Sequence, residues 1–118
     1  LLHHTKGSII HISSISVHTD YNGLAMYTFS KGALEAFSKD TAKEWGGLGI
    51  YSNVVVPGFM ETAMSASLTD DLKDRIYKRT SLKQATSVAS VVVTVVFLLS
   101  DGAESITGQN EFVDAGTI

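Results

Sequence analysis
The chain predicts an α/β fold: a parallel sheet of three strands with flanking helices. Three observations carry this. Short β-branched runs near 8–12, 50–56 and 110–114 are separated by helical segments. Strands joined through helices pair in parallel by right-handed crossovers, so the three should be parallel neighbours, with the 25–45 helix crossing between the first two. Finally, 118 residues with 44% apolar and 18% charged side chains suffice for one core and are too few for two domains.

Taken in order, Gly7 leads into Ser8-Ile9-Ile10-His11-Ile12, a buried strand. Ser13 to Gly23 is rich in Ser, Asp, Asn and Gly and reads as a loop. From Ala25 to Trp45 the apolar positions include Met26, Phe29, Ala33, Leu34, Phe37, Thr41 and Ala42. Spacings of three and four fit a long amphipathic helix. Gly46-Gly47-Leu48-Gly49 ends it. Ile50 to Val56 is the second strand, stopped by Pro57-Gly58. Thr69-Asp70-Asp71 starts a helix that Leu72, Arg75, Ile76 and Arg79 continue. Val88 to Leu99 holds six valines, which favours a strand, but twelve residues is long for one. Ser87 as a cap and Asp101-Gly102 as a stop favour helix. The run falls short of the ~20 apolar residues a bilayer span needs. Phe112-Val113-Asp114 is the last short strand.

Composition excludes several classes. With no cysteine there is no disulfide scaffold, thiolate zinc site or cysteine nucleophile. That also fits a reducing compartment, and the expected location is cytoplasmic. A net charge of −3 argues against nonspecific nucleic-acid binding. The segment Leu1 to Gly7 has no secretory-signal pattern and no initiating Met, so the chain is expected to begin inside a longer protein. His3, His4, His11 and His18 form no i, i+4 pair on a helix, and no metal site is expected.

Tyr27 and Lys31 stand four apart, on one face of the predicted helix. Ser14 lies thirteen residues before Tyr27, just past the first strand. Ligands of open parallel sheets bind beyond the carboxyl ends of the strands, where these residues would meet. The set suits a reacting carbonyl or alcohol, with Tyr27 as proton donor or acceptor and Ser14 bonded to the substrate oxygen. A free tyrosine titrates near 10, and a neighbouring ammonium favours the phenolate. A shuffled chain of this composition yields roughly 0.03 such triplets, so chance is a poor explanation.

Ile12-Ser13-Ser14, Tyr27-Thr28-Phe29-Ser30-Lys31-Gly32-Ala33 and Asn53-Val54-Val55-Val56-Pro57-Gly58-Phe59-Met60-Glu61-Thr62 resemble the short-chain dehydrogenase/reductase family. Their look is that of the 3-oxoacyl-carrier-protein reductase branch. Ile106-Thr107-Gly108-Gln109 and Val113-Asp114-Ala115-Gly116 match the family's last strand region, and the likeness runs from about Gly7 to Gly116.

The resemblance implies an NAD(P)-dependent oxidoreductase that interconverts a carbonyl and a secondary alcohol. Tyr27 would be the acid/base residue, and Lys31 would lower its pKa and hold the nicotinamide ribose. Ser14 would orient the substrate. The turn at Pro57 and Gly58, the backbone around Met60 and the Thr62 hydroxyl would meet the nicotinamide of NADP or NAD. The chain would be a single partial domain, the C-terminal half of a Rossmann-like doubly wound parallel sheet. The dinucleotide-binding half is expected upstream, since Gly47-Leu48-Gly49 follows a helix and precedes a strand, the reverse of a phosphate loop. The piece alone is expected to be inactive. The 25–45 helix would pair across a homodimer or homotetramer; neither membrane nor nucleic acid is an expected partner. Departures are His11 where Asn is common, Lys83-Gln84 for a Gly-Arg step and Ser90 for an acid. The competing reading is an inactive truncated product, or an interaction module that keeps the α/β frame.

Overall fold
The structure, a computed structural model, describes residues 7–19 and 22–118. Two parts of the sequence reading, His3-His4 and the Asp20-Tyr21 step of the first loop, lie outside the described residues. Six main elements follow in order: β1 (Gly7–Ile12), α1 (Ala25–Trp45), β2 (Ile50–Pro57), α2 (Asp70–Lys78), α3 (Val88–Leu98) and β3 (Asn110–Val113). The sheet order is β1-β2-β3, and both pairings are parallel.

Helices cover both faces of β2, which explains its continuous apolar run. Val54, Val55 and Val56 are fully buried. On one face Val55 packs with Leu98 and Ala103, flanked by Val91, Val95 and Ile106. On the other, Val54 and Val56 meet Ile15. The two polar residues inside β2 are paired, as buried polar groups must be. Ser52 Oγ is 2.9 Å from Ser38 Oγ of α1. Asn53 donates to the Ile106 carbonyl at 3.0 Å and accepts from the Gln109 N–H at 3.1 Å, fixing the loop before β3.

The valine-rich segment is a helix. Ser87 caps it by accepting from the Ser90 N–H at 3.0 Å. Thr69 does the same for α2 through the Leu72 N–H. Among the described residues no helix is long and apolar enough to cross a membrane.

Strand β1, expected to be buried, is half-buried with Ile12 exposed, because no strand covers its outer edge and helices cover it less fully than β2 among the described residues. Two further features depart from the sequence reading. The segment after β1 contains a 3-10 turn, Ile15–Val17, capped by Ser14. The other is the inward face of α1, which is made of Glu35, Ser38, Thr41 and Ala42. Met26, Phe29 and Phe37, at 79%, 71% and 56% exposure, point outward. Apolar spacing gives a helix its period but does not say which stripe meets the sheet.

Lys83, where the family likeness has glycine, sits at φ 55°, in the left-handed region that glycine tolerates best. At Gly58 the requirement is closeness. A Cβ there would stand 2.8 Å from the Asp114 Cα and from Thr86 Oγ1. Only a residue without a side chain lets the end of β2 lie against the end of β3.

Candidate active site
All three strands end at one edge. The Ser13 N–H continues the ladder onto the Val55 carbonyl at 2.9 Å, and the Gly58 N–H reaches the Val113 carbonyl at 2.9 Å. The chain therefore leaves β1 at Ser13-Ser14 and β2 at Pro57-Gly58 side by side. This carboxyl edge is where parallel sheets take ligands. A cavity of about 480 Å³ opens at the opposite edge beside Gly7, Ser8 and Tyr51, away from every candidate residue.

Ser14 is the extended cap of the 3-10 turn, at φ −153° and ψ 147°. Its Oγ accepts from the Ser16 N–H at 3.2 Å. A hydroxyl that accepts there keeps its own proton for another partner. Tyr27 is the third residue of α1 and is partly exposed, so its phenol is accessible from solvent. Lys31 follows one turn later, with Nζ 5.8 Å from the Tyr27 ring centroid. The same Nζ donates to the Ile12 carbonyl at 3.0 Å. One lysine thus ties the helix carrying Tyr27 to the strand end carrying Ser14, and two of its three N–H donors remain for other partners.

The loop after Gly58 is organised by Ser65. Its hydroxyl accepts from the Thr62 N–H at 2.8 Å and reaches the Thr62 and Met60 carbonyls at 2.9 and 3.3 Å. Thr62 itself is exposed. The Thr62-x-x-Ser65 spacing carried that signal, since it is a capping pattern. Thr86 N–H anchors the loop to the Phe59 carbonyl at 2.8 Å.

Helix α2 is attached to the same loop through Glu61. The Tyr77 phenol donates to the Glu61 carboxylate, and Lys73 Nζ stands 3.7 Å from it. That hydrogen bond, with burial and the nearby negative charge adding to it, pushes the Tyr77 pKa up to about 12. The raised value favours the neutral phenol in the folded state. Its stabilising contribution is present below the ordinary value near 10 and fades as pH rises through about 12. In a difference titration of phenolate absorbance between the protein and Tyr77→Phe, the lost signal is expected at about 12. A Glu61→Gln background should return it toward 10. A difference signal already near 10 in the unmodified protein would show that this bond does not form.

Sequence reasoning missed Glu35. It is 7% exposed and accepts hydrogen bonds from Ser13, from His18 at 2.8 Å and from Asn110 at 2.8 Å.

The donor set suits the nicotinamide end of a dinucleotide: two spare lysine N–H groups, an accessible phenol and an exposed loop threonine at one sheet edge. A sequence profile of the family described as enoyl-(acyl carrier protein) reductase matches residues 1–117. The chain belongs to the short-chain dehydrogenase/reductase family. Within it, the chain is 40% identical to carbonyl reductase [NADPH] 2 of Sus scrofa over 112 residues, 93% of this chain and 46% of that protein. It is 36% identical to the 3-oxoacyl-[acyl-carrier-protein] reductase of Staphylococcus epidermidis over 116 residues, 98% of this chain and 48% of that protein. The crystal structure of a gluconate 5-dehydrogenase from Burkholderia cenocepacia, in complex with NADP and tartrate, superposes with a TM-score of 0.90 at 30% identity, covering 95% of this chain and 45% of that one. The chain thus spans about half the length of the relatives it matches.

Proposed function
We propose that this chain is the catalytic half of an NAD(P)-dependent reductase acting on a carbonyl such as a 3-oxoacyl thioester. The observation that carries the reading is Lys31 bridging Tyr27 and the β1 end at the carboxyl edge of the sheet. The nicotinamide cofactor, NADP or NAD, supplies the hydride. Lys31 holds its ribose hydroxyls, and Pro57, Gly58, Met60 and Thr62 border its carboxamide. Its pyrophosphate belongs to an upstream half, on a glycine-rich turn at a helix N-terminus.

The protein's own work is to bind the substrate oxygen and move a proton. Ser14 Oγ donates to that oxygen and orients it. The Tyr27 hydroxyl delivers the proton as negative charge develops there. The Lys31 ammonium, fixed beside the ring, favours the negative charge left on the phenol. In the alcohol-oxidising direction the same groups reverse their roles.

The exposed stripe Met26, Phe29 and Phe37 on α1 fits a contact between copies in a homodimer or homotetramer. The protein with its upstream half is the proper sample. Mixed with a 3-oxoacyl thioester, it should consume NADPH or NADH absorbance at 340 nm. Light scattering on the same sample reads its assembly. A folded, cofactor-bound protein that turns over neither this substrate nor a panel of simple ketones and secondary alcohols would defeat the reading.

A further inference from the structure
The Glu35 carboxylate belongs to none of the roles above, yet side chains from three other segments converge on it. It projects from α1 one turn after Lys31. Ser13, at the end of β1, donates to Oε2. His18 Nε2 lies 2.8 Å from Oε1, and Asn110 of β3 donates to the same oxygen at 2.8 Å. The His18 ring also packs edge-on against Phe112, at 4.8 Å between centroids.

The placement of two of these partners is what matters. Ser13 immediately precedes Ser14, and His18 is the C-cap of the 3-10 turn that Ser14 begins. One carboxylate therefore grips both ends of the turn that presents Ser14. The turn itself is short and holds together by two backbone bonds, Val17 to Ser14 and His18 to Ile15. Three residues of 3-10 helix do not fix their own orientation. Lys31, on the same helix, holds the Ile12 carbonyl just upstream.

We propose that Glu35 is the positioning residue that sets Ser14 against Tyr27 and Lys31, acting through Ser13 and His18. A buried carboxylate with three hydrogen-bond partners has few other places to go, so it locks the distance between helix and turn. The effect on turnover rests on the reductase reading; the effect on the turn does not.

The test uses the whole protein, upstream half included, and two readouts. The first is amide hydrogen exchange, followed by mass spectrometry, across Ser13 to His18. The second is kcat, KM and NADPH affinity, per folded molecule. Glu35→Ala should exchange at least about tenfold faster across the turn. It should also lose about 100-fold in kcat, the scale of a misplaced reacting group, with NADPH affinity within about threefold. Glu35→Gln can accept from His18 and Asn110 and donate to Ser13. It should restore both readouts to within about threefold of the parent. His18→Ala, which removes one tie, should fall between them and keeps the test open should Glu35→Ala not fold. A merely structural role would lower the folded amount and leave kcat per folded molecule unchanged. Unchanged exchange in both Glu35→Ala and His18→Ala overturns the proposal, as does unchanged kcat in an active protein, or a Gln variant as impaired as the Ala variant. If the parent itself shows no turnover, the reductase reading falls and the exchange data alone decide the role of Glu35.

Discussion

Tyr27→Phe is expected to lower carbonyl reduction by about 10³-fold while NADPH affinity stays within about threefold. The substitution removes one oxygen. Phe keeps the ring, and α1 keeps its first turn, since the Tyr27 hydroxyl bonds to no other group among the described residues. Lys31 approaches the ring face, which Phe also offers, and its bond to the Ile12 carbonyl does not involve Tyr27. The loss therefore reads the proton donor and little else. The split is specific. KM and cofactor affinity report binding that survives, while kcat reports an interaction made at the reacting oxygen. Stopped-flow loss of NADPH absorbance with calorimetric cofactor binding measures both sides. Turnover within tenfold of the parent would remove Tyr27 from the chemistry and leave Ser14 or bound water to supply the proton.

The frame was legible because its signals are local. Apolar spacing and the Gly46-Gly47-Leu48-Gly49 stop gave α1 its bounds, Ala25 and Trp45, and the structure has the same ones. Ser87 settled α3 against the β preference of its valines, because a capped twelve-residue run bounded by Asp101-Gly102 suits a helix and overshoots a strand. Parallel pairing followed from alternation alone. The inward face of α1 was not legible. Ser38 meets Ser52, and Glu35 meets Ser13, His18 and Asn110, so polar residues pair across the helix–sheet contact while Phe29 and Phe37 stay outside. No apolar count finds that, since the partners are 14 to 75 residues away in sequence. The candidate site was half legible. Ser14, Tyr27 and Lys31 stand at short fixed spacings, and Lys31 reaches the Tyr27 ring and the Ile12 carbonyl, two residues before Ser14. The carboxylate behind them is visible only once the helix is laid on the sheet.

Lys31→Ala is expected to damage both binding and turnover, which separates it from Tyr27→Phe. Among the described residues the side chain has one fixed bond, to the Ile12 carbonyl. Ile12 is 41% exposed, so water can replace that donor at small cost to the fold. The ammonium is therefore not held mainly for stability. Its remaining N–H groups are the charge-assisted donors proposed for the ribose hydroxyls. Losing hydrogen bonds of that kind costs about 1.5–3 kcal/mol. That corresponds to roughly 10- to 100-fold weaker NADPH binding by calorimetry. The positive charge beside the Tyr27 ring goes as well, so kcat should fall further, by at least about 100-fold at saturating cofactor. Lys31→Arg keeps the charge but replaces a compact point donor with a wide planar fork. It should recover part of the binding and little of the rate. Thermal unfolding of both variants should stay close to that of the parent. An Ala variant that binds NADPH as tightly as the parent would take Lys31 off the cofactor. Were it also to melt well below the parent, the lysine would be a strut between α1 and β1 and nothing more.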